Sequence, residues 1–189
     1  MKVLSINGSP RKKGNTATIL GQVLDAAAAK GAETRMVHLN ELDMNGCQGC
    51  LACRENMGEC AVKDDFQDVL EERKTSDTIA FGTPIYVFNV SGQFKCFLDR
   101  CFCLVDGPED GVSYRTALPA GRKFVLVTSQ GDEEPEAYRH IIEYLRMIFS
   151  FLGGTVRVIT QTGSEDRDSA RNDEDLLSSA DRAGDWLVS

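Results

Sequence analysis

Positive charge and histidine are scarce in this sequence of 189 residues, and the scarcity argues against several classes of protein. Lysine and arginine number 21 against 29 aspartates and glutamates, a net charge of −8, which disfavours nucleic acids and anionic membranes as general partners. The two histidines, His38 and His140, have no serine or cysteine motif beside them with which to build a nucleophilic catalytic group. Any chemistry must therefore rest on other groups.

Long apolar runs are also missing, and we expect no secretory leader. No stretch approaches the roughly 20 apolar residues of a membrane-spanning helix, and no short apolar core follows a basic start at the N-terminus. Seven cysteines without such a leader predict thiols or metal ligands, not a disulfide framework. With 42% hydrophobic residues, the chain suits one globular domain over 1–189, and we expect it in the cytoplasm.

Strand and helix patterns alternate along the chain. Five short runs rich in Val, Ile, Leu and Phe predict strands, and amphipathic stretches between them predict helices, the first from about Asn15 to Lys30. Five such pairs indicate an α/β fold, a parallel sheet with helices on both faces. The flavodoxin-like strand order 2-1-3-4-5 would bring ligands to the carboxyl ends of strands 1 and 3. The predicted strands are 2–6, 34–39, 78–82, 123–128 and 155–160.

Three irregular segments are longer than a sheet connection requires. They are 40–63, 104–121 and 161–172. We interpret the first as a cysteine-containing insertion in the single domain. We expect the second to cover a pocket or to contact a second subunit, and the third is acidic and polar.

A polar loop rich in hydrogen-bond donors joins the first predicted strand to the first helix. It reads Asn-Gly-Ser-Pro-Arg-Lys-Lys-Gly-Asn-Thr over 7–16. The free N–H groups and positive dipole end of a helix favour a phosphate there. The alternative is an ordinary turn whose lysines are solvated and whose helix is capped by Asn15 or Thr16. The predicted phosphate-binding residues are Ser9, Arg11, Lys12, Gly14, Asn15 and Thr16.

Two common phosphate-binding motifs are absent from this loop. Five residues separate Gly8 from Gly14, where a P-loop has four, and Asn15 stands in place of the P-loop lysine. The dinucleotide pattern Gly-x-Gly-x-x-Gly is missing as well. We therefore predict a phosphate that is held neither by an NTPase nor by the usual NAD-binding fold.

An apolar segment after the third predicted strand supplies a second part of the same site. It reads Gly-Thr-Pro-Ile-Tyr-Val-Phe-Asn-Val-Ser-Gly over 82–92. A proline-fixed turn followed by exposed aromatic residues offers a platform for a flat ring. For Phe88 alone, a place in the core is an equal alternative. The predicted residues are Pro84, Ile85, Tyr86, Val87, Phe88 and Asn89, with Ser129 and Gly131 approaching from a third loop.

Four cysteines lie close together in the insertion, at Cys47, Cys50, Cys53 and Cys60. Short spacings let a tight turn aim thiolates at one centre, and four thiolates complete a [4Fe–4S] cluster. Zinc could use the same ligands. The six-residue gap before Cys60 departs from the ferredoxin pattern, so free thiols beside the other site or at a subunit interface remain the alternative.

These segments together resemble the NADPH-dependent FMN reductase family, especially its iron-sulfur flavoprotein-like branch. The matching residues are the loop 8–16, the four cysteines with Lys-Asp-Asp-Phe at 63–66, and 83–95 leading into Phe-Leu-Asp-Arg at 97–100. The resemblance implies that the first loop grips the phosphate of FMN and that the second edges its isoalloxazine ring. The flavin then supplies the redox chemistry, and no acid–base residue is needed.

The resemblance implies an NAD(P)H-dependent FMN reductase or quinone reductase-like flavoprotein. Reducing equivalents would pass from NAD(P)H or a reduced carrier to a quinone, a flavin or another small-molecule electron acceptor. If the cysteines hold a cluster, a ferredoxin becomes the expected donor. The alternative is a non-enzymatic electron carrier or a cysteine-based redox sensor. The family also implies a homodimer or homotetramer in which one subunit covers another's flavin, with no nucleic acid or membrane as partner.

Overall fold

The computed structural model of the chain describes residues 1–106, 115–164 and 166–189. Its strands and helices follow in chain order. The strands are β1 Lys2–Asn7, β2 Glu33–His38, β3 Thr78–Tyr86, β4 Asn89–Val90, β5 Val105–Asp106, β6 Arg115–Thr116, β7 Arg122–Ser129 and β8 Gly154–Gln161. The α-helices are α1 Asn15–Ala29, α2 Phe66–Thr75, α3 Gly92–Arg100, α4 Arg139–Phe151 and α5 Glu174–Leu187.

Five of these strands form one parallel sheet in the order β2-β1-β3-β7-β8. This order confirms the predicted flavodoxin-like arrangement, because β7 and β8 are the fourth and fifth predicted strands. β4 pairs antiparallel with the end of β3, and β5 pairs with β6 in a separate ribbon. The sequence predicted neither pair, since a strand of two residues is too short to show an alternation.

Helices cover both faces of the sheet. α1 and α5 pack on one face, where Val3, Ile19 and Ala180 belong to one buried cluster. α2, α3 and α4 pack on the other, where Leu4 and Phe149 belong to a second cluster. Successive strand residues such as Val3 and Leu4 point to opposite faces of the sheet. Because helices cover both faces, such a strand is buried on both sides, which favours a continuously apolar strand. The predicted three-layer sandwich is confirmed.

Two expectations fall outside what this architecture tests. The function expected of the segment 104–121 depends largely on residues 107–114, which lie outside the described residues. The assignment of 1–189 to one domain stays a prediction, although all five parallel strands belong to one sheet. Within the described ranges, no helix has both the length and the apolarity needed to cross a membrane.

Candidate functional site

The loop between β1 and α1 is held in shape by its own hydrogen bonds. Asn7 Oδ1 accepts from Ser9 N at 2.9 Å, and Ser9 Oγ accepts from Arg11 N at 3.2 Å. Gly8 N donates to Gly82 O on β3 at 2.8 Å. A Cβ at Gly8 would meet a side-chain carbon of α3 at 2.6 Å, so only glycine lets the loop lie this close to its neighbours.

α1 begins without a side-chain cap. Gly14 occupies the N-cap position, whereas the side chains of Ser91 and Asp173 cap α3 and α5. The first N–H groups of a helix have no partner within it, and the helix dipole favours an anion beside them. The uncapped start therefore suits a phosphate. It does not support the alternative in which Asn15 or Thr16 caps the helix.

The first two side chains of α1 connect the helix to other loops. Thr16 Oγ1 and Ser129 Oγ share a hydrogen bond of 2.9 Å, which joins α1 to the end of β7. Asn15 Nδ2 donates to Asp166 O at 2.7 Å, and Asn15 Oδ1 accepts from Ala170 N at 3.0 Å. The side-chain amide of Asn15 is therefore occupied by the segment after β8, so the backbone N–H groups remain the available donors.

These loops surround a cavity of about 110 Å³ at the carboxyl ends of β1, β3 and β7. It brings together most of the residues that the sequence predicted. One lining residue, Ser164, was missed; a serine just beyond the fifth strand is the signal that could have found it. The lining residues are Ser9, Arg11, Gly14, Asn15, Thr16, Pro84, Ile85, Tyr86, Ser129, Gly131 and Ser164.

The remaining four predicted residues do not line this cavity: Lys12, Val87, Phe88 and Asn89. Lys12 pairs with Glu41, so its charge is directed towards the turn that follows β2. Asn89 Oδ1 accepts from Val90 N at 2.8 Å, which leaves the side-chain NH₂ group as its donor for a ligand. A direct contact of these four residues with a ligand stays a prediction.

Val87 and Phe88 form an exposed two-residue turn between β3 and β4. Both have positive φ, 46° and 63°, as a type I′ hairpin requires, but glycine and asparagine normally occupy such positions. A residue held in this conformation costs about 1–3 kcal/mol. Val87 is 91% and Phe88 72% exposed, which argues against a core position for Phe88. Strained, exposed apolar residues beside a cavity indicate a surface that another group covers.

Ser91 links this hairpin to the loop 7–16 between β1 and α1, named the phosphate loop after the ligand that the sequence predicts there, and the sequence did not predict that role. Its Oγ donates to Gly8 O at 2.7 Å and accepts from Phe94 N at 3.2 Å. Its N donates to Thr83 Oγ1 at 3.1 Å. One buried serine thus caps α3 and fixes the two parts of the site relative to each other. A serine directly before a helix is a capping signal that could have found it.

The four cysteines of the insertion line a second cavity, of about 90 Å³. Two of them, Cys47 and Cys50, are exposed, and the other two are half-buried. The backbone between Cys47 and Cys53 is left-handed at Leu51 as well as at Gly49. In the part of the chain that the structure describes, no three His, Cys, Asp or Glu residues converge as a metal site. The structure brings the predicted ligands to one cavity without closing them around a centre.

Cys103 is a fifth thiol at this cavity. It is only 2% exposed, and burial, with the nearby thiols of Cys101, Cys60 and Cys53, raises its pKa to about 12. Cys103 belongs to the buried hydrophobic cluster on this face of the sheet, and the four cysteines that the sequence predicted remain the candidate set.

Arg100, the last residue of α3, joins both ends of the cysteine-containing insertion 40–63, named the cysteine segment from here on. Its side chain is fully buried and forms an ion pair with Asp64, donating from Nη1 at 2.8 Å and from Nη2 at 3.0 Å. The same nitrogens donate to Asn45 O and Val62 O at 2.9 and 3.0 Å. Nε donates to Cys60 Sγ at 3.1 Å. All the N–H groups of the guanidinium are therefore used.

The partner carboxylate is held in its charged form. Burial alone would raise the pKa of Asp64, but the hydrogen bonds and charge of Arg100 outweigh it, together with hydrogen bonds from Asn45 N and Phe66 N. The pKa of Asp64 therefore lies below its usual value. Residues 63–66 and 97–100 belong to the motifs that resemble the FMN reductase family, but only the fold shows that Asp64 of the first motif binds Arg100 of the second.

The fold and these sites define the class of protein. It is a flavodoxin-like α/β protein with an uncapped helix start at its first strand–helix loop, an exposed apolar hairpin beside that loop, and a cavity lined by cysteines. The family model of the NADPH-dependent FMN reductases matches residues 1–158. The chain belongs to this family, which confirms the resemblance drawn from its motifs.

Named relatives agree with this membership over part of the chain. An iron-sulfur flavoprotein of Methanocaldococcus jannaschii is 41% identical over 100 residues, which are 53% of this chain and 51% of that protein. Two iron-sulfur flavoproteins of Archaeoglobus fulgidus match over a similar share, 48% and 45% of their lengths. The chain thus spans about half the length of these relatives.

Solved structures of low identity share the fold over nearly the whole chain. An NAD(P)H:quinone oxidoreductase of Methanothermobacter marburgensis has a TM-score of 0.75 at 20% identity, covering 99% of this chain and 98% of that one. An FMN-dependent NADH-azoreductase of Bacillus anthracis, solved with FMN, has a TM-score of 0.75 at 16% identity, covering 100% and 99%. These likenesses support the flavodoxin-like fold.

Proposed function

We propose that this protein is an FMN-binding oxidoreductase that passes reducing equivalents from NAD(P)H to a quinone, a flavin or another small-molecule acceptor. The observation that carries the proposal is the cavity at the carboxyl ends of β1, β3 and β7. There, the uncapped start of α1 lies beside the exposed hairpin of β3 and β4. An anion suits the first feature and a flat apolar ring suits the second, and FMN contains both groups.

The phosphate would be held by the loop at the start of α1. Ser9 and Arg11 supply side-chain donors, and the backbone N–H groups of Asn15 and Thr16 supply the helix end, since Gly14 N already donates to Arg11 O at 3.2 Å. These groups are positioned before any ligand arrives, since Ser9 is buried and the loop is hydrogen-bonded to β3. The loop therefore orients the ligand at little ordering cost.

The ring would lie against the hairpin, mostly outside the cavity. The cavity measures about 110 Å³, against roughly 300–1,000 Å³ for sites that enclose a ligand. Tyr86, Val87 and Phe88 are all exposed beside it. We propose that a second copy of the chain covers the ring, in a homodimer or homotetramer. Bound FMN supplies the redox chemistry, and the role of the chain is to orient the ring and exclude water from it.

For the cysteine cavity we propose a [4Fe–4S] cluster held by Cys47, Cys50, Cys53 and Cys60. The donor set suits the group, because four thiols line one cavity and soft thiolates favour iron–sulfur clusters. The buried cation of Arg100 beside Cys60 compensates part of the negative charge that four thiolates bring. The relatives named as iron-sulfur flavoproteins support the same assignment. With a cluster present, a ferredoxin is the proposed protein partner.

The test is a set of measurements on protein purified without oxygen. The absorption spectrum is recorded before and after FMN is added, iron, sulfide and zinc are assayed on the same sample, and oxidation of NADPH and NADH is followed with a quinone acceptor. A bound flavin and steady turnover support the enzyme. Protein that stays colourless after FMN is added overturns the proposal. A flavin reduced only by a protein partner would favour the electron carrier instead.

The location in the cell follows from the thiols and stays a proposal. All seven cysteines are free, which suits a reducing compartment. We propose the cytoplasm, and fractionation of the source cells with detection of the native protein tests it.

A further inference from the structure

We infer that Arg100 is a positioning residue of the cysteine site, which sets the reduction potential of the cluster through its hydrogen bond to Cys60 Sγ. The inference rests on the proposed cluster. The interaction that carries it is the contact of 3.1 Å from Arg100 Nε to Cys60 Sγ. It comes from a guanidinium that is wholly buried and whose other N–H groups are already bound.

The contact to sulfur exceeds what a purely structural role requires. The pair with Asp64 and the bonds to Asn45 O and Val62 O already connect α3 to the cysteine segment. Lysine, with one compact ammonium group, could not reproduce the planar fork on Asp64 and also reach the sulfur. The position therefore requires arginine, because the two terminal nitrogens of the guanidinium bind the carboxylate of Asp64 while Nε binds the sulfur of a proposed ligand, Cys60.

α3 carries this contact on a rigid element that also reaches the other site. Its N-terminal cap, Ser91, donates to the carbonyl oxygen of Gly8 in the phosphate loop. Its last residue is Arg100, nine residues further along the helix, which is roughly 14 Å of helix length. The position of Cys60 is thus fixed relative to the flavin site and not only to its own loop.

A donor to a ligand sulfur has a signed effect on the potential. Hydrogen bonds to the sulfurs of an iron–sulfur site and nearby positive charge favour the reduced form, which holds one more electron. Loss of the guanidinium should therefore lower the potential. The negative charge of Asp64 offsets the positive charge of Arg100, so loss of the carboxylate charge should raise the reduction potential. A side chain that only maintained the fold would not produce these opposite signs.

Arg54 provides the matched control. It lies in the same segment, and its Nη1 donates to Asp106 Oδ1 at 3.2 Å, while its guanidinium lies 3.8 Å from the ring centre of Phe102. None of its hydrogen bonds among the described residues goes to a cysteine sulfur. Arg54→Lys thus makes the same chemical change near the same loop without removing an N–H···S contact.

The experiment is a redox titration of the reconstituted holoprotein, in which a mediator dye donates one electron to the cluster and the reduced form is detected by electron paramagnetic resonance. For Arg100→Lys we expect the one-electron equilibrium constant to fall at least tenfold, which is about 59 mV for a one-electron couple. Asp64→Asn should shift it the opposite way. Arg54→Lys should shift it less than threefold. Wild-type protein labelled with ¹⁵N-arginine should show a nitrogen coupling to the reduced cluster.

Each outcome decides the matter. An Arg100→Lys protein that keeps the wild-type potential, or variants of Arg100 and Asp64 that shift it in the same direction, overturns the inference while the cluster stands. Wild-type protein that binds no iron overturns the cluster and the inference together. If the Arg100 variant does not fold, the labelled wild-type protein decides, because absence of the ¹⁵N coupling contradicts the contact.

Discussion

The phosphate loop and the cysteine segment both follow strands of one sheet, yet they are held in different ways. The phosphate loop is tied to β3 by the backbone hydrogen bond from Gly8 N to Gly82 O, and the helix after it is tied to β7 by the buried side chains of Thr16 and Ser129. The cysteine segment is held mainly by side chains, namely the pairs of Arg100 with Asp64 and Arg54 with Asp106 and the bonds from Gln67 to Cys60 O and Val62 O, while two of its thiols face solvent. We propose that the first site is formed before its ligand binds, whereas the second closes only around its ligand. Removing single groups should therefore affect the two regions differently.

The largest effect is expected at the buried ion pair that joins α3 to the cysteine segment. Arg100→Leu leaves the carboxylate of Asp64 buried without its partner, and breaking a buried pair in this way costs about 3–5 kcal/mol of the free energy of unfolding. Urea denaturation of the protein without metal measures the loss. The double variant Arg100→Leu, Asp64→Leu should recover most of it. A loss below 1 kcal/mol would show that the segment is held by other contacts.

A smaller effect is expected for the phosphate loop. Gly8→Ala places a Cβ 2.6 Å from a carbon of α3, and such overpacking costs about 1–3 kcal/mol. Because the loop must move to make room, FMN affinity should fall about tenfold, equivalent to ~1.4 kcal/mol. Flavin fluorescence quenching measures it. Gly21→Ala is the control: apart from its chain neighbours and the backbone of its own helix, nothing lies within 4 Å of its Cβ position, and in the middle of α1 the change should stabilise by about 0.5–1 kcal/mol.

The cysteine segment should also respond to acid. The pKa of Asp64 is lower in the folded protein than in the unfolded chain, where it is about 3.9. A lowered carboxyl pKa contributes stability that is complete above the unfolded value and is lost as the pH falls through the folded value. The difference in unfolding free energy between wild type and Asp64→Asn should be constant from pH 5 to pH 7 and shrink below about pH 4. A difference that grew in acid would have the wrong sign.

The smallest effect is expected at the hairpin beside the phosphate loop. Val87→Asn replaces a β-branched residue at a φ of 46° with one that tolerates this conformation, and should stabilise by about 1 kcal/mol. The side chain is 91% exposed, so little packing is lost. Thermal unfolding of the free protein measures it. Unchanged stability would mean that the turn carries no strain.

The sequence predicted the fold, and it predicted that the loops after the first, third and fourth parallel strands would meet, because both depend on local patterns. The alternation of apolar runs identified the five parallel strands, and the loop 7–16 was recognised from its donors and glycines. Individual contacts were harder to predict. The amide of Asn15 binds the segment after β8 and Lys12 pairs with Glu41. Such partners are distant in sequence, so no local pattern shows which of them a side chain meets.

By itself, the sequence determined that a polar, glycine-containing loop, an apolar turn and four clustered cysteines occur in an α/β chain. Each of these follows from residue types at short spacing, which local chemistry controls. Only the tertiary structure decided how they are connected: Ser91 fixes the turn to the phosphate loop, and Arg100 joins Cys60 to Asp64. The physical reason is burial, because a buried donor needs an acceptor, and packing alone determines which acceptor lies within reach.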